Sequence, residues 1–207
     1  MNIAVFASGR GSNFQAILSA IHHGQLPAAV RLVVSNKSTA GALEIARAHQ
    51  IPAFHRAPSQ YQSADAYVAD LTNLLEEHGV DFIALAGYLK QLPAALVSRF
   101  RNRIVNIHPA LLPAFGGMGM YGVHVHEAVL AAGVKVSGAT VHLVDEEYDR
   151  GPILLQRTVE VLPDDTPETL AARVLKIEHV IYPEALAAFA EGRVRIEGRK
   201  AWIQPHR

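Results

Sequence analysis

Four short apolar runs, at residues 3–7, 31–35, 82–86 and 104–108, recur along the first half of the chain with longer segments of helical spacing between them. Runs this short and partly β-branched read as strands, and strands alternating with helices build a parallel sheet. The helices are expected at residues 13–23, 40–49 and 64–78. The last carries Tyr67, Leu71, Leu74 and Leu75 on one stripe before Gly79 stops it. The first half is therefore βαβαβαβ, a Rossmann-like pattern. After Pro109 the texture changes to a glycine-rich loop over residues 116–122, a helix over 124–132 closed by Gly133, two strands over 136–144 and 153–161, and a long helix. Thr166 and Pro167 open that helix as capping residue and first helical position. The expectation is one α/β domain over 1–207, with a mostly parallel central sheet, helices on both faces and an antiparallel C-terminal strand element.

With 207 residues, half of them apolar, the chain can bury one substantial core. Nineteen basic residues balance nineteen acidic ones. That leaves no long-range pull towards nucleic acid or an anionic membrane surface, and small-molecule partners fit better. Cysteine is absent, which excludes disulfides, a catalytic thiolate and thiolate metal sites, and agrees with a reducing compartment. The opening Met1-Asn2-Ile3-Ala4-Val5-Phe6 carries no basic leader, and its apolar run is far shorter than a signal-peptide core or a spanning helix. A cytoplasmic location is expected. The histidines are scattered, His22-His23 read as an exposed helix end, and no metal site is expected.

Three constellations carry chemistry. Ser8-Gly9-Arg10-Gly11-Ser12-Asn13 follows the first strand and opens the first helix, where backbone N–H groups and the helix dipole favour a phosphate. Position 14 is Phe where a dinucleotide fingerprint needs glycine, and Ser35-Asn36-Lys37 stands where that fingerprint needs an acid, so a single phosphate suits the loop better than NAD. Second, the strand over 104–108 ends at Pro109, and its two-residue period sends Asn106 and His108 to one face. An amide and an imidazole side by side suit attack on a carbonyl, and a nearby carboxylate would hold the imidazole protonated. Asp145, Glu146, Glu147 and Asp149 precede Gly151-Pro152, and spacing alone does not choose among the four. Third, Thr140 and His142 share a strand face and could support that site, and Glu178 lies at the edge of the apolar stripe Leu170, Val174, Ile177, Ile181. A substrate hydroxyl or a salt bridge with Arg173 or Lys176 would satisfy Glu178.

Six motifs then converge: S-G-x-G-S-N at 8–13, L-A-G-Y at 85–88, N-I-H-P-A-L-L-P at 106–113, G-A-T-V-H at 138–142, D-x-G-P at 149–152 and E-H-x-I-Y-P at 178–183. Together they resemble the phosphoribosylglycinamide formyltransferases, folate-dependent enzymes of purine synthesis, from Met1 to about Arg195. Relatives acting on methionyl-tRNA lack the first loop and add a C-terminal nucleic-acid-binding domain, and formyltetrahydrofolate deformylases carry an extra N-terminal domain; neither addition is expected here. The resemblance implies transfer of the formyl group of 10-formyltetrahydrofolate to the amine of 5-phosphoribosylglycinamide, by a monomer or homodimer without a metal. It implies a phosphate-binding half over 1–100 and a catalytic, folate-binding half over 101–207. It assigns Gly11, Ser12 and Asn13 to the phosphate, Asn106, His108 and Asp149 to catalysis, and Glu178 to the ribose. Thr140, counted among the substrate-binding residues, would support the imidazole or an active-site water. The pterin pocket would draw on Leu85, Gly87, Tyr88, Leu89, Lys90, Leu92 and Val97, with Asn106 beside it.

The chain departs from the family pattern in three places. The loop after Pro113 is longer than the usual P-G-x-H version, with His126 the better match to its histidine. Ala64 stands where an arginine often meets the folate tail, and Lys90 stands where arginine is common. The competing expectations are a 10-formyltetrahydrofolate hydrolase using the same triad on water, and a binding module that has lost turnover.

Overall fold

The computed structural model describes residues 1–206, which divide into two compact units, Met1–Asn106 and Ile107–Arg207. In the first unit β1 (Asn2–Phe6), β2 (Ala29–Ser35), β3 (Ala53–His55), β4 (Phe82–Leu85) and β5 (Ile104–His108) run in the order β3-β2-β1-β4-β5, every pair parallel. β1 is central because it is apolar on both faces: Ile3, Ala4, Val5 and Phe6 are all completely buried, as a strand flanked by two others and covered by helices must be. The helices α1 (Ser12–His22), α2 (Gly41–Ala48), α3 (Ala64–Glu77) and α4 (Ala94–Arg99) supply the crossovers. Ser63 caps α3 by accepting the Ala66 N–H at 3.1 Å, and the stripe of Tyr67, Leu71, Leu74 and Leu75 is buried as its spacing predicts.

Two elements of this unit escape the hydrophobic pattern. β3 has three residues, all half-buried, and follows Pro52 at the sheet edge, so it is too short to show a period. α4 is a turn and a half after Pro93.

The second unit contains α5 (Val123–Ala131), β6 (Val136–Leu143), β7 (Ile153–Glu160), α6 (Pro167–Ala190) and a separate hairpin of β8 (Val194–Glu197) and β9 (Lys200–Ile203). The sheet continues β5-β6-β7, and β7 is antiparallel to β6, giving the mostly parallel seven-stranded α/β sheet that the sequence predicts. The β6–β7 register shifts between Val141 and His142, which leaves Leu154 as an extra residue on β7. Thr166 and Thr169 form a reciprocal capping box at the start of α6. The β8–β9 hairpin, absent from the expected elements, turns at Gly198 with φ +58°.

Candidate active site

In the first unit the carboxyl ends of β1, β2 and β4 meet in polar loops, the usual location of ligand sites in such sheets. Gly11 caps α1 in the left-handed region (φ 86°), and a Cβ there would come within 2.9 Å of the Ala42 backbone. Only glycine suits this turn. No side chain caps α1, so no side chain competes with a ligand for that cap. Ser12 is half-buried and Asn13 buried. Across the loops, Ser8 donates its backbone N–H to the Gly87 carbonyl at 3.0 Å, while its hydroxyl accepts the Leu89 N–H at 2.8 Å and donates to Asn36 Oδ1 at 2.5 Å. Gly87 has φ +75° with open space where a Cβ would point.

The residues expected around the pterin separate into two sets. Leu85, Tyr88, Leu92 and Val97 are buried, whereas Leu89 and Lys90 are exposed. Tyr88 packs edge-on against Phe6, and its hydroxyl lies 3.2 Å from that of Tyr67. Burial, reinforced by that contact, pushes the Tyr88 hydroxyl far above its ordinary pKa, so it stays neutral.

Asn106 is the last residue of the first unit and half-buried; strand alternation places it on the face of β5 that carries His108. In the second unit His108 is 3% exposed. Its Nε2 lies 2.8 Å from the Phe115 carbonyl and therefore donates, while its Nδ1 is 3.6 Å from Asp149 Oδ2. That oxygen accepts the Gly117 N–H at 2.9 Å, and Oδ1 lies 3.5 Å from His142 Nε2. His142 donates from Nδ1 to the Leu143 carbonyl at 2.8 Å. Both Phe115 (φ 54°) and Asp149 (φ 55°) adopt left-handed backbone, a strained arrangement of the kind that clusters at functional sites. Gly151 lies against the Leu143 carbonyl where any Cβ would collide, which is why the turn after Asp149 carries glycine.

Electrostatics here correct one expectation. Burial drives the His108 pKa below its ordinary 6.5 and outweighs the opposing pull of Asp149 and of the Phe115 carbonyl. Asp149 therefore does not hold the imidazole charged; His108 rests neutral with its proton on Nε2, the nitrogen that faces Phe115. Burial also works to raise the Asp149 pKa, but the hydrogen bond from His142, the neighbouring His108 and the Gly117 N–H overcome it and hold the carboxyl below 3.8. His126, buried on α5 with no partner for Nδ1, is likewise shifted down by burial and by His108.

Among the four acids left open by spacing, the structure brings Asp149 to His108. Glu146 and Glu147 are exposed, while Asp145 accepts the Glu147 N–H and approaches Arg199 at 4.0 Å. Thr140 is fully buried: its hydroxyl donates to the Ala110 carbonyl at 2.6 Å and accepts from Leu112 N–H at 3.0 Å and Gln156 Nε2 at 2.9 Å. It anchors the segment after β5, with its proton and both lone pairs engaged by protein groups. Glu178 is 7% exposed, and Arg173, one partner considered for it, instead makes paired bonds to Asp165 at 2.7 and 2.8 Å. Sequence reading missed the Phe115 carbonyl and Gln156. The carbonyl has no side-chain signature, and Gln156 becomes visible only when β7 pairs it with Thr140.

In the second unit a buried imidazole donor lies beside a low-pKa carboxylate, a pairing suited to acyl-group chemistry, and in the first a glycine-capped helix start is suited to an anion. The chain belongs to the formyl transferase family, whose profile matches residues 1–186. It is similar to phosphoribosylglycinamide formyltransferases: 48% identical over 194 residues to the chloroplastic protein of Arabidopsis thaliana, covering 93% of this chain and 66% of that one. The Escherichia coli protein of that name is 38% identical, covering 100% of this chain and 95% of its own length. The crystal structure of glycinamide ribonucleotide transformylase 1 from Symbiobacterium toebii superposes with a TM-score of 0.93 at 45% identity, covering 99% of this chain and 94% of that one. The chain thus spans about two thirds of the plant relative's length and nearly all of the bacterial one. No helix among the described residues is long and apolar enough to cross a membrane.

Proposed function

We propose that this chain transfers the formyl group of 10-formyltetrahydrofolate to the amine of 5-phosphoribosylglycinamide, a step of purine synthesis, in the cytoplasm and as a monomer or homodimer without nucleic-acid or membrane partners. The observation that carries the reading is the buried His108–Asp149–His142 cluster at the end of β5. Residues 1–100 serve as the phosphate-binding half, through Gly11, Ser12 and Asn13, and residues 101–207 as the catalytic and folate-binding half. Glu178 takes the acceptor's ribose hydroxyls. The donor's pterin is assigned to Leu85, Gly87, Tyr88, Leu89, Lys90, Leu92 and Val97, with the buried members forming a wall and the Gly87–Lys90 backbone supplying polar groups.

The neutral acceptor amine attacks the formyl carbon. Negative charge develops on the formyl oxygen, where the Asn106 amide and the His108 Nε2–H donate; a neutral imidazole suffices because the donor is preorganised in a buried site. As the new C–N bond forms, the amine proton becomes acidic, and the Asp149 carboxylate takes it up, directly or through a water. Cleavage of the bond to the folate nitrogen then returns that proton to the leaving nitrogen, so one proton moves from amine to folate overall. Thr140 acts through the backbone it anchors. The Phe115 carbonyl, now on Nε2, must yield its place to the oxyanion.

Absorbance on mixing the protein with 10-formyltetrahydrofolate, with and without 5-phosphoribosylglycinamide, for wild type and Asp149→Asn, tests the reading. Acceptor-dependent turnover lost in the variant is expected; equal turnover without acceptor would replace it with the hydrolase.

A further inference from the structure

Ser8 stands at the start of the glycine loop, yet its hydroxyl serves another part of the chain. It accepts the N–H of Leu89, 81 residues away, at 2.8 Å and donates to Asn36 Oδ1 at 2.5 Å, while its own N–H holds the Gly87 carbonyl at 3.0 Å. One buried hydroxyl, in a residue 3% exposed, therefore ties together the loops that follow β1, β2 and β4. Other contacts seat each flanking loop on its own neighbours, Gly11 against Ala42 and Tyr88 edge-on against Phe6, but Ser8 bonds the loops after β2 and β4 directly. Gly9 leans on α2 through its carbonyl, which accepts the Ala42 N–H at 3.3 Å, whereas Gly87 bends with positive φ over open space.

We propose that Ser8 is a positioning residue for both substrates, setting the phosphate loop 9–13 and the Gly87–Lys90 edge at one fixed separation while touching neither ligand. This rests on the assignment of those loops to the acceptor phosphate and the folate. A hydroxyl buried this deeply has no face left for a ligand, and both of its bonds are satisfied by protein. Removing it leaves the Leu89 N–H and the Asn36 amide without their buried partner, so the disturbance spreads to both loops at once. The bonds of the Ser8 hydroxyl run to Leu89 and Asn36, in the loops assigned to binding, so the loss appears in binding more than in the chemical step.

Steady-state kinetics of Ser8→Ala, with each substrate varied in turn, should show both KM values raised by roughly five- to tenfold, the loss expected from one buried hydrogen-bond partner, with kcat falling far less. Ser8→Thr, which keeps the hydroxyl, should recover most of both. Asn36→Ala, at a half-buried position, should reproduce the dual effect more weakly and serves if Ser8→Ala does not fold. A rise in the acceptor KM alone, in the folate KM alone, or in neither would overturn the proposal, as would a collapse of kcat at unchanged KM. If the wild type shows no acceptor-dependent turnover, the functional reading fails separately. Titration of inorganic phosphate and tetrahydrofolate against wild type and Ser8→Ala would then decide the role of Ser8 by the same dual criterion.

Discussion

Nε2 of His142 lies 3.5 Å from Oδ1 of Asp149, the carboxylate oxygen that His108 does not face. The carboxylate is thus held from both ends, with the Gly117 N–H as a third contact, and it stays ionised although only 11% of its side chain is exposed. His142 is itself fixed by its bond to the Leu143 carbonyl. The pair explains why a chain can keep a strained, left-handed aspartate at the end of a loop: the carboxylate has too many fixed partners to leave.

His142→Ala should reduce kcat/KM by about tenfold, because Asp149 loses one of its orienting contacts but not its charge. Asp149→Asn, which removes the charge, should cost on the order of 10²–10⁴ in kcat. Steady-state rates of the two variants check the ranking, and an equal or larger loss in His142→Ala would refute the supporting role.

His108→Ala removes an oxyanion donor and should lower kcat by roughly 10²–10³ with little change in either KM. Rapid-quench measurement of a single turnover separates this from any effect on product release.

Acid stability follows from the lowered pKa of His108. The unfolded chain takes up a proton near the ordinary value of 6.5, while the buried imidazole refuses it until a lower pH. Stability is therefore insensitive to this group above its unfolded pKa and falls as pH drops through that value towards the folded one. His126 is lowered for the same reason and adds to the loss. Asp149, depressed below 3.8, holds its contribution above that value and surrenders it only as pH falls through its folded pKa. Urea unfolding at pH 7.5 and 5.5 should show a smaller pH-dependent loss in His126→Gln than in wild type.

Gly151→Ala places a methyl group against the Leu143 carbonyl. The clash should destabilise the protein by about 2 kcal/mol or more, a Tm drop on the order of 4–8 °C, and should impair activity by displacing the turn after Asp149. Calorimetry alongside the rate assay would expose the result.

Thr140→Val keeps the shape but strips the hydroxyl from the Leu112 N–H, the Ala110 carbonyl and Gln156. Leaving the buried Leu112 N–H and Ala110 carbonyl without this partner should cost about 1–3 kcal/mol, seen as a lower urea midpoint. A neutral substitution would mean that the segment after β5 is held by other contacts.

The alternation of short apolar runs with helical stripes was sufficient to locate β1, β2, β4 and β5 with α1, α2 and α3, because hydrophobic period and strand burial are local properties written residue by residue. The glycine turn at Gly11, the shared face of Asn106 and His108 and the cap of α6 were legible for the same reason. The three-residue β3 and the β8–β9 hairpin were not: β3 is too short to show a period, and the alternation of β8 and β9 runs over only four residues each, none of them fully buried. Spacing also set Asp145, Glu146, Glu147 and Asp149 side by side without ranking them. The D-x-G-P resemblance pointed to Asp149, and the tertiary structure gives the reason: a backbone turn that Gly151 permits and two histidines arriving from separate strands. The protonation of His108 was decided there too. A nearby carboxylate argues for charge, burial argues against it, and how completely a side chain is withdrawn from water is a property of the whole fold, not of its neighbours in sequence.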